Sequence, residues 1–256
     1  MRSLTPAEVI LNGLGITDAR EIDLEAIAWE LGASVKYRPL EKCEARIVGN
    51  GDKAIITINS NSMPRRQRFS LGHELGHWRH HRHRLLMCQD ADIGGSQAST
   101  SERTANSFAS ELLMPTYLFE PAARGYAHAN FQTVRAIGDL FDISMTATTI
   151  RLIERGFFTG FVICHNRQGR QWFVRSPDVP DRWFPRDDLS ADSFAFDILF
   201  GSGADDRFPR KIAADDWFDR PSAGQYEVQE QTIRVADDHI VTLLLINDHE
   251  MLDDAS

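Results

Sequence analysis

The residues best suited to chemistry lie in Phe69-Ser-Leu-Gly-His-Glu-Leu-Gly-His77, where His73, Glu74 and His77 stand in the order H-E-x-x-H. On a helix, residues four apart share a face one turn apart, so both imidazoles reach one metal ion while Glu74 flanks its open position. This is the spacing of a zinc peptidase site. Phe69, Leu71 and Leu75 mark the helix as packed into a core, where two imidazoles and a carboxylate need partners.

Catalytic zinc takes three protein ligands and leaves one position for water, so a third ligand must come from elsewhere. Glu102 is the choice, because Ala105, Asn106 and Ala109 continue its helical face with small or polar residues that let two helices approach closely. Glu111, nine residues on at about 100° each, points roughly the opposite way. Asn106, one turn beyond Glu102, is placed to orient a histidine through a hydrogen bond.

Local histidines offer rivals. His83 has the metzincin spacing from His77, but His80 stands where that pattern needs glycine, and no Met-turn follows. His81 lies about 12 Å along the helix from His73 at a rise of about 1.5 Å per residue, too far to share a tetrahedral ion. His80, His81 and His83 are therefore expected as a solvated helix end.

Several elements must position these groups. Residues 5–14 and 24–31 carry apolar residues at helical spacing, with Thr5-Pro6 and Asp23 as starts and Gly32 as a stop. Residues 45–49 and 54–59 flank Asn50-Gly51-Asp52 and predict a β-hairpin. At a sheet edge beside the cleft, the second of these strands would suit strand addition by an extended peptide; inside the sheet it would be plain core. Asn61 or Ser62 caps a helix that holds Pro64 in its first turn and runs to about His83. A polar loop over 89–100 leads to a second helix, from Ser101 to a stop near Pro115. Residues 131–155 read as helix, short turn at Asp142-Ile-Ser144, helix. Beyond Gly156, strands over 160–165 and 170–175, then 225–235 and 240–246, form two more hairpins, with Trp172, Trp183, Phe184, Phe194, Phe196, Phe200, Trp217 and Phe218 as core mass.

The predicted class is α+β: one domain over 1–156, including the helix-turn-helix-like segment 131–155, then a small α/β domain over 157–256. With 256 residues, 42% hydrophobic and 25% charged, the chain can bury a sizeable core. No apolar run suits a membrane span or a signal peptide, and the three cysteines, Cys43, Cys88 and Cys164, are odd in number and unpatterned. A cytoplasmic protein without a membrane partner is expected. The net charge of −9 arises entirely after residue 156, where 10 Lys plus Arg face 19 Asp plus Glu. That part repels nucleic acid and serves solubility or a basic partner.

Arg68-Phe69-Ser-Leu-Gly-His-Glu-Leu-Gly-His77, then Glu102-Arg-Thr-Ala-Asn-Ser-Phe-Ala-Ser-Glu-Leu-Leu-Met-Pro115, then Leu140-Phe-Asp-Ile-Ser144 with Arg151-Leu152, resemble the ImmA/IrrE family of metallo-endopeptidases over about residues 5–156. The resemblance implies a zincin-like fold, a gluzincin-type ligand set at His73, His77 and Glu102, and Glu74 as general base. It also implies a protein substrate, an Xre-type helix-turn-helix repressor cleaved in mobile-element or stress-response regulation. Zinc suits two imidazoles and a carboxylate, and manganese or another divalent ion is the alternative.

In this reading the bound ion lowers the pKa of its water from about 15.7 toward 7, and Glu74 takes the proton and later gives it to the leaving amine. Tyr117, Tyr126 and His128 are the candidates for an oxyanion donor. Cys88, just past the motif helix, is a candidate regulatory thiol that would hold the open metal position. The alternative reading is a DNA-binding or sensor regulator with a degenerate metal site. Against it, the second helix of 131–155 offers only Arg151 and Arg155 near its end, away from the N-terminal residues that usually meet base edges. Some relatives carry a GAF-like sensory module, but a hundred residues is short for one, and a docking or stabilising extension is the better reading of 157–256.

Overall fold

The computed structural model describes residues 3–81, 86–87 and 100–253. Its contacts divide the chain into two units: Met1–Ala122 with Asp139–Ser144, and Ala123–Gly138 with Met145–Ser256. This division differs from the single boundary at 156/157 read from sequence.

In the first unit, α1 (Pro6–Gly13) begins with a capping box. Thr5 Oγ1 accepts from the Glu8 amide at 3.3 Å, and Glu8 Oε2 accepts from the Thr5 amide at 3.0 Å. Asp23 caps α2 (Leu24–Glu30) by accepting from the Ala26 amide at 2.9 Å. Gly32, at φ 80°, then turns the chain into β1 (Ala33–Arg38), a strand not identified from sequence.

Strand β2 (Ala45–Asn50) and β3 (Lys53–Asn59) form the expected hairpin, with Gly51 at φ 60° and Asn50 opposite Lys53. Including β4 (Leu86–Met87), the sheet order is β1-β3-β2-β4, with β1 parallel to β3 and the other pairs antiparallel. Because β3 is hydrogen bonded on both sides, strand addition at β3 is excluded.

Helix α3 (Pro64–His81) carries the H-E-x-x-H residues and packs on the face where Ile47, Ala54, Ile56 and Ile58 are buried. At its start the Gln67 side chain donates to the carbonyls of Ser62 at 2.8 Å and Asn59 at 3.1 Å. The Ser62 hydroxyl, expected as a cap, donates instead to Glu44. Helix α4 (Thr100–Leu113) lies against α3 and stops before Pro115. Helix α5 (Thr116–Arg124) follows, its first amide donating to the buried Glu8 carboxylate at 2.9 Å.

The helix-turn-helix-like pair is α6 (Phe131–Phe141) and α7 (Met145–Glu154), joined through Asp142 at φ 53°. Arg65 fixes the turn within the first unit by pairing with Asp139 at 2.6 Å and Asp142 at 3.2 Å and donating to the Ile143 carbonyl. The start of α6 belongs to the second unit, where the Phe131 amide donates to Gln231 Oε1 at 2.8 Å.

The second unit is built on one antiparallel sheet, in the order β6-β5-β9-β8-β7: β5 (Gly160–Asn166), β6 (Gly169–Arg175), β7 (Arg210–Ala213), β8 (Glu227–Ala236) and β9 (His239–Leu245). Both expected hairpins are present, fused by the β5–β9 pair. Short helices α8 (Phe194–Phe200) and α9 (His249–Asp253) accompany it, so this part is chiefly a β-sheet. Its core gathers Phe161, Ile198, Trp183, Trp217, Phe218 and Leu244. Among the described residues, no helix is long and apolar enough to cross a membrane.

One ionisable group lies inside this core. Glu230 accepts from the Ala195 amide at 2.5 Å and the Trp217 indole at 2.9 Å, yet burial, reinforced by the charge of Asp206, pushes its carboxyl up to about 7. A folded-state value above the ordinary 4.5 means that the native protein holds this proton more tightly than the unfolded chain. The resulting stabilisation is full below pH 4.5 and is lost as pH rises to about 7, a fall of roughly 3 kcal/mol at ~1.4 kcal/mol per unit. Denaturant melts across this range are expected to show the stability difference between the parent and Glu230→Gln declining with pH; a constant difference would contradict it.

Candidate metal centre

The site is set by how closely α3 meets α4. Gly72 and Gly76, the residues before the two motif histidines, face Ala109 and Ala105. A Cβ on Gly76 would lie 2.9 Å from Ala105 Cα, and one on Gly72 would lie 3.3 Å from Ala109 Cβ. The helices therefore meet glycine against alanine, with no large side chain between them at these positions, and Glu102 in the first turn of α4 is delivered to the histidine face.

There the three expected groups converge. The Nε2 atoms of His73 and His77 are 3.0 Å apart, and each lies 3.2 Å from a Glu102 oxygen. Among the described residues this is the one group of His, Cys, Asp and Glu that could hold a metal ion. Ligand bonds of about 2.0–2.1 Å at tetrahedral angles require donor atoms about 3.3 Å apart, so the triangle fits a small divalent ion. Asn106 Oδ1 lies 2.8 Å from His73 Nδ1, as expected. By accepting the Nδ1 proton it leaves the His73 Nε2 lone pair directed into the triangle. Ser101 Oγ stands 3.5 Å from His77 Nδ1, a contact whose only trace in sequence is its place beside Glu102.

Burial sharpens the electrostatics. His73, Glu74 and His77 are only 2–3% exposed. Glu74 Oε2 is buried and has no hydrogen-bond partner among the described residues. Loss of solvent, and secondarily the charge of Glu102, pushes the Glu74 carboxyl up to about 8. A divalent cation in the triangle opposes both effects by favouring the carboxylate.

Other sequence candidates fare differently. The hydroxyl of Tyr117, one of three candidate oxyanion donors, donates to the Ile16 carbonyl at 2.8 Å, so its proton is engaged there. Tyr126 and His128 fall in the second unit, and the His128 carbonyl accepts from Thr133 Oγ1. Cys88 and His83 lie outside the described residues. His80 hydrogen bonds the Gly76 carbonyl at 3.1 Å and meets the edge of Phe108, so the expected solvated helix end is partly anchored.

A sheet backing an H-E-x-x-H helix, with a carboxylate from a second helix, defines a zincin-like domain. Residues 28–152 match the model of the Peptidase_M78 family, the IrrE N-terminal-like domain, in agreement with the ImmA/IrrE resemblance. A solved structure of a Mycobacterium tuberculosis transcriptional regulator is similar at 15% identity with a TM-score of 0.60, over 96% of this chain and 76% of that one. At that identity the likeness concerns the fold. No curated protein matches the chain.

Two substitutions separate helix approach from ligand orientation. Gly76→Ala is expected to force α4 away, lowering bound metal per chain and destabilising the protein by roughly 1–3 kcal/mol. Asn106→Ala is expected to weaken metal affinity by about 10–100-fold while leaving the melting temperature of the metal-free protein nearly unchanged. Metal titration followed by calorimetry checks both.

Proposed function

We propose that the chain is a zinc-dependent endopeptidase that cleaves a protein substrate in the cytoplasm. The observation that carries this reading is the triangle of His73, His77 and Glu102 with the buried, unpartnered Glu74 carboxylate oxygen beside it. His73, His77 and Glu102 would hold the metal, which when bound would supply Lewis acidity toward a peptide carbonyl and toward water. Glu74 holds the proton taken from that water and returns it to the leaving amine, so the group acts as base and then as acid. Asn106 keeps the His73 ring in one tautomer throughout, and the packed α3–α4 contact excludes bulk water behind the ligands.

The substrate is proposed to be an Xre-type helix-turn-helix repressor. Support comes from the family whose model residues 28–152 match and from a fold neighbour called a transcriptional regulator. Direct duplex reading by α7 is disfavoured, since Arg151 is buried rather than offered to a groove.

The decisive experiment incubates the metal-loaded protein with an Xre-type regulator encoded beside it. Discrete fragments are expected, absent with chelator. Glu74→Gln is expected to retain metal and lose cleavage by roughly a hundredfold or more. His73→Ala and Glu102→Ala are expected to lose the metal itself. Full cleavage by Glu74→Gln would overturn the assignment, and salt-dependent retention of a defined duplex without cleavage would favour a DNA-binding regulator.

A further inference from the structure

The second face of the four-stranded sheet takes no part in this chemistry, because α3 packs on the opposite one. Strand register arranges its side chains in rows. Ser34, Ile55 and Val48 form one row across β1, β3 and β2. Lys36, Thr57 and Arg46 form the next, and Lys53 with Asn50 closes the other side. Val48 and Ile55 are directly opposite each other and remain 52% and 44% exposed. Lys36, Arg46 and Lys53 are exposed, and no ion pair engages them among the described residues. No carboxylate lies in the three rows. Glu44, further along toward β2, is already held by Ser62 and by Arg66 at 3.9 Å.

An apolar pair bracketed by unpaired cations is an incomplete surface. Cations flanking it select negative charge, while the exposed Val48 and Ile55 gain only from an occupant that brings apolar area of its own. A bare polyanion offers no such area, and no aromatic side chain stands in the rows to stack bases. We propose that this face docks an acidic segment of a partner protein, one that presents an apolar stripe between Asp or Glu side chains. The inference goes beyond the peptidase reading and does not rest on it.

The test titrates a synthetic helical peptide, with a leucine stripe flanked by glutamates, into the isotope-labelled full chain at low ionic strength. Amide shifts are expected at residues 34, 36, 46, 48, 53 and 55, with binding weakened by added salt. The same peptide with Gln for Glu, and the parent peptide against Val48→Asp or the Lys36→Glu, Arg46→Glu, Lys53→Glu triple variant, should each bind roughly tenfold more weakly. Metal content of the triple variant should stay at the parent level. Should the variants misfold, the Glu and Gln peptides compared on the unaltered protein still decide. Absent shifts, shifts mapping elsewhere, equal binding of the Gln peptide, or tighter titration of these amides by single-stranded DNA or anionic vesicles would each overturn the proposal.

Discussion

Everything at the metal centre depends on the backbone contact between α3 and α4. Three ligands from two helices can share one ion only if the helices approach more closely than ordinary side chains allow. Gly72 and Gly76 against Ala109 and Ala105 provide that approach. The motif thus has two functions in one stretch: His73, Glu74 and His77 supply chemistry, and the glycines preceding the histidines supply the distance. The remaining architecture holds α3 in place, with the sheet behind it and Arg65 at its start binding the Asp139–Ser144 turn.

The same contact sets the electrical character of the site. A dry helix interface strips solvent from Glu74, and the nearby Glu102 adds like charge, so the carboxyl is driven far from its usual range. Such an arrangement is unfavourable for a metal-free protein and favourable for a cation-loaded one. Asn106 adds direction to this field by fixing where the lone pair of His73 points.

The legible parts of the sequence were those governed by local rules. H-E-x-x-H at helical spacing, the Asn50-Gly51 turn, the Thr5 and Asp23 caps and the choice of Glu102 over Glu111 each follow from a few neighbouring residues and a known period. Where long-range pairing decides, sequence said less. Strand β1 is short and half polar, and only its parallel register with β3 makes it a strand; that pairing also moves β3 from a candidate edge to the interior. The Tyr117 hydroxyl is taken by the Ile16 carbonyl, a partner about a hundred positions away that no spacing rule reveals. Within the 131–155 helix pair, the turn is held by Arg65 and the start of α6 by Gln231, both distant in sequence.

One further feature links the hairpin to the motif helix. Trp78, immediately after His77, lays its ring against Gly49 and donates its indole proton to the Leu31 carbonyl at 2.8 Å. A methyl group on Gly49 would stand 2.5 Å from the ring. Strand and helix can therefore diverge through evolution only together: a larger residue at position 49 requires a smaller one at 78, and shrinking 78 removes the indole that donates to the Leu31 carbonyl. Covariation between these two positions, rather than identity at either, is the mark this contact should leave on descendants of the chain.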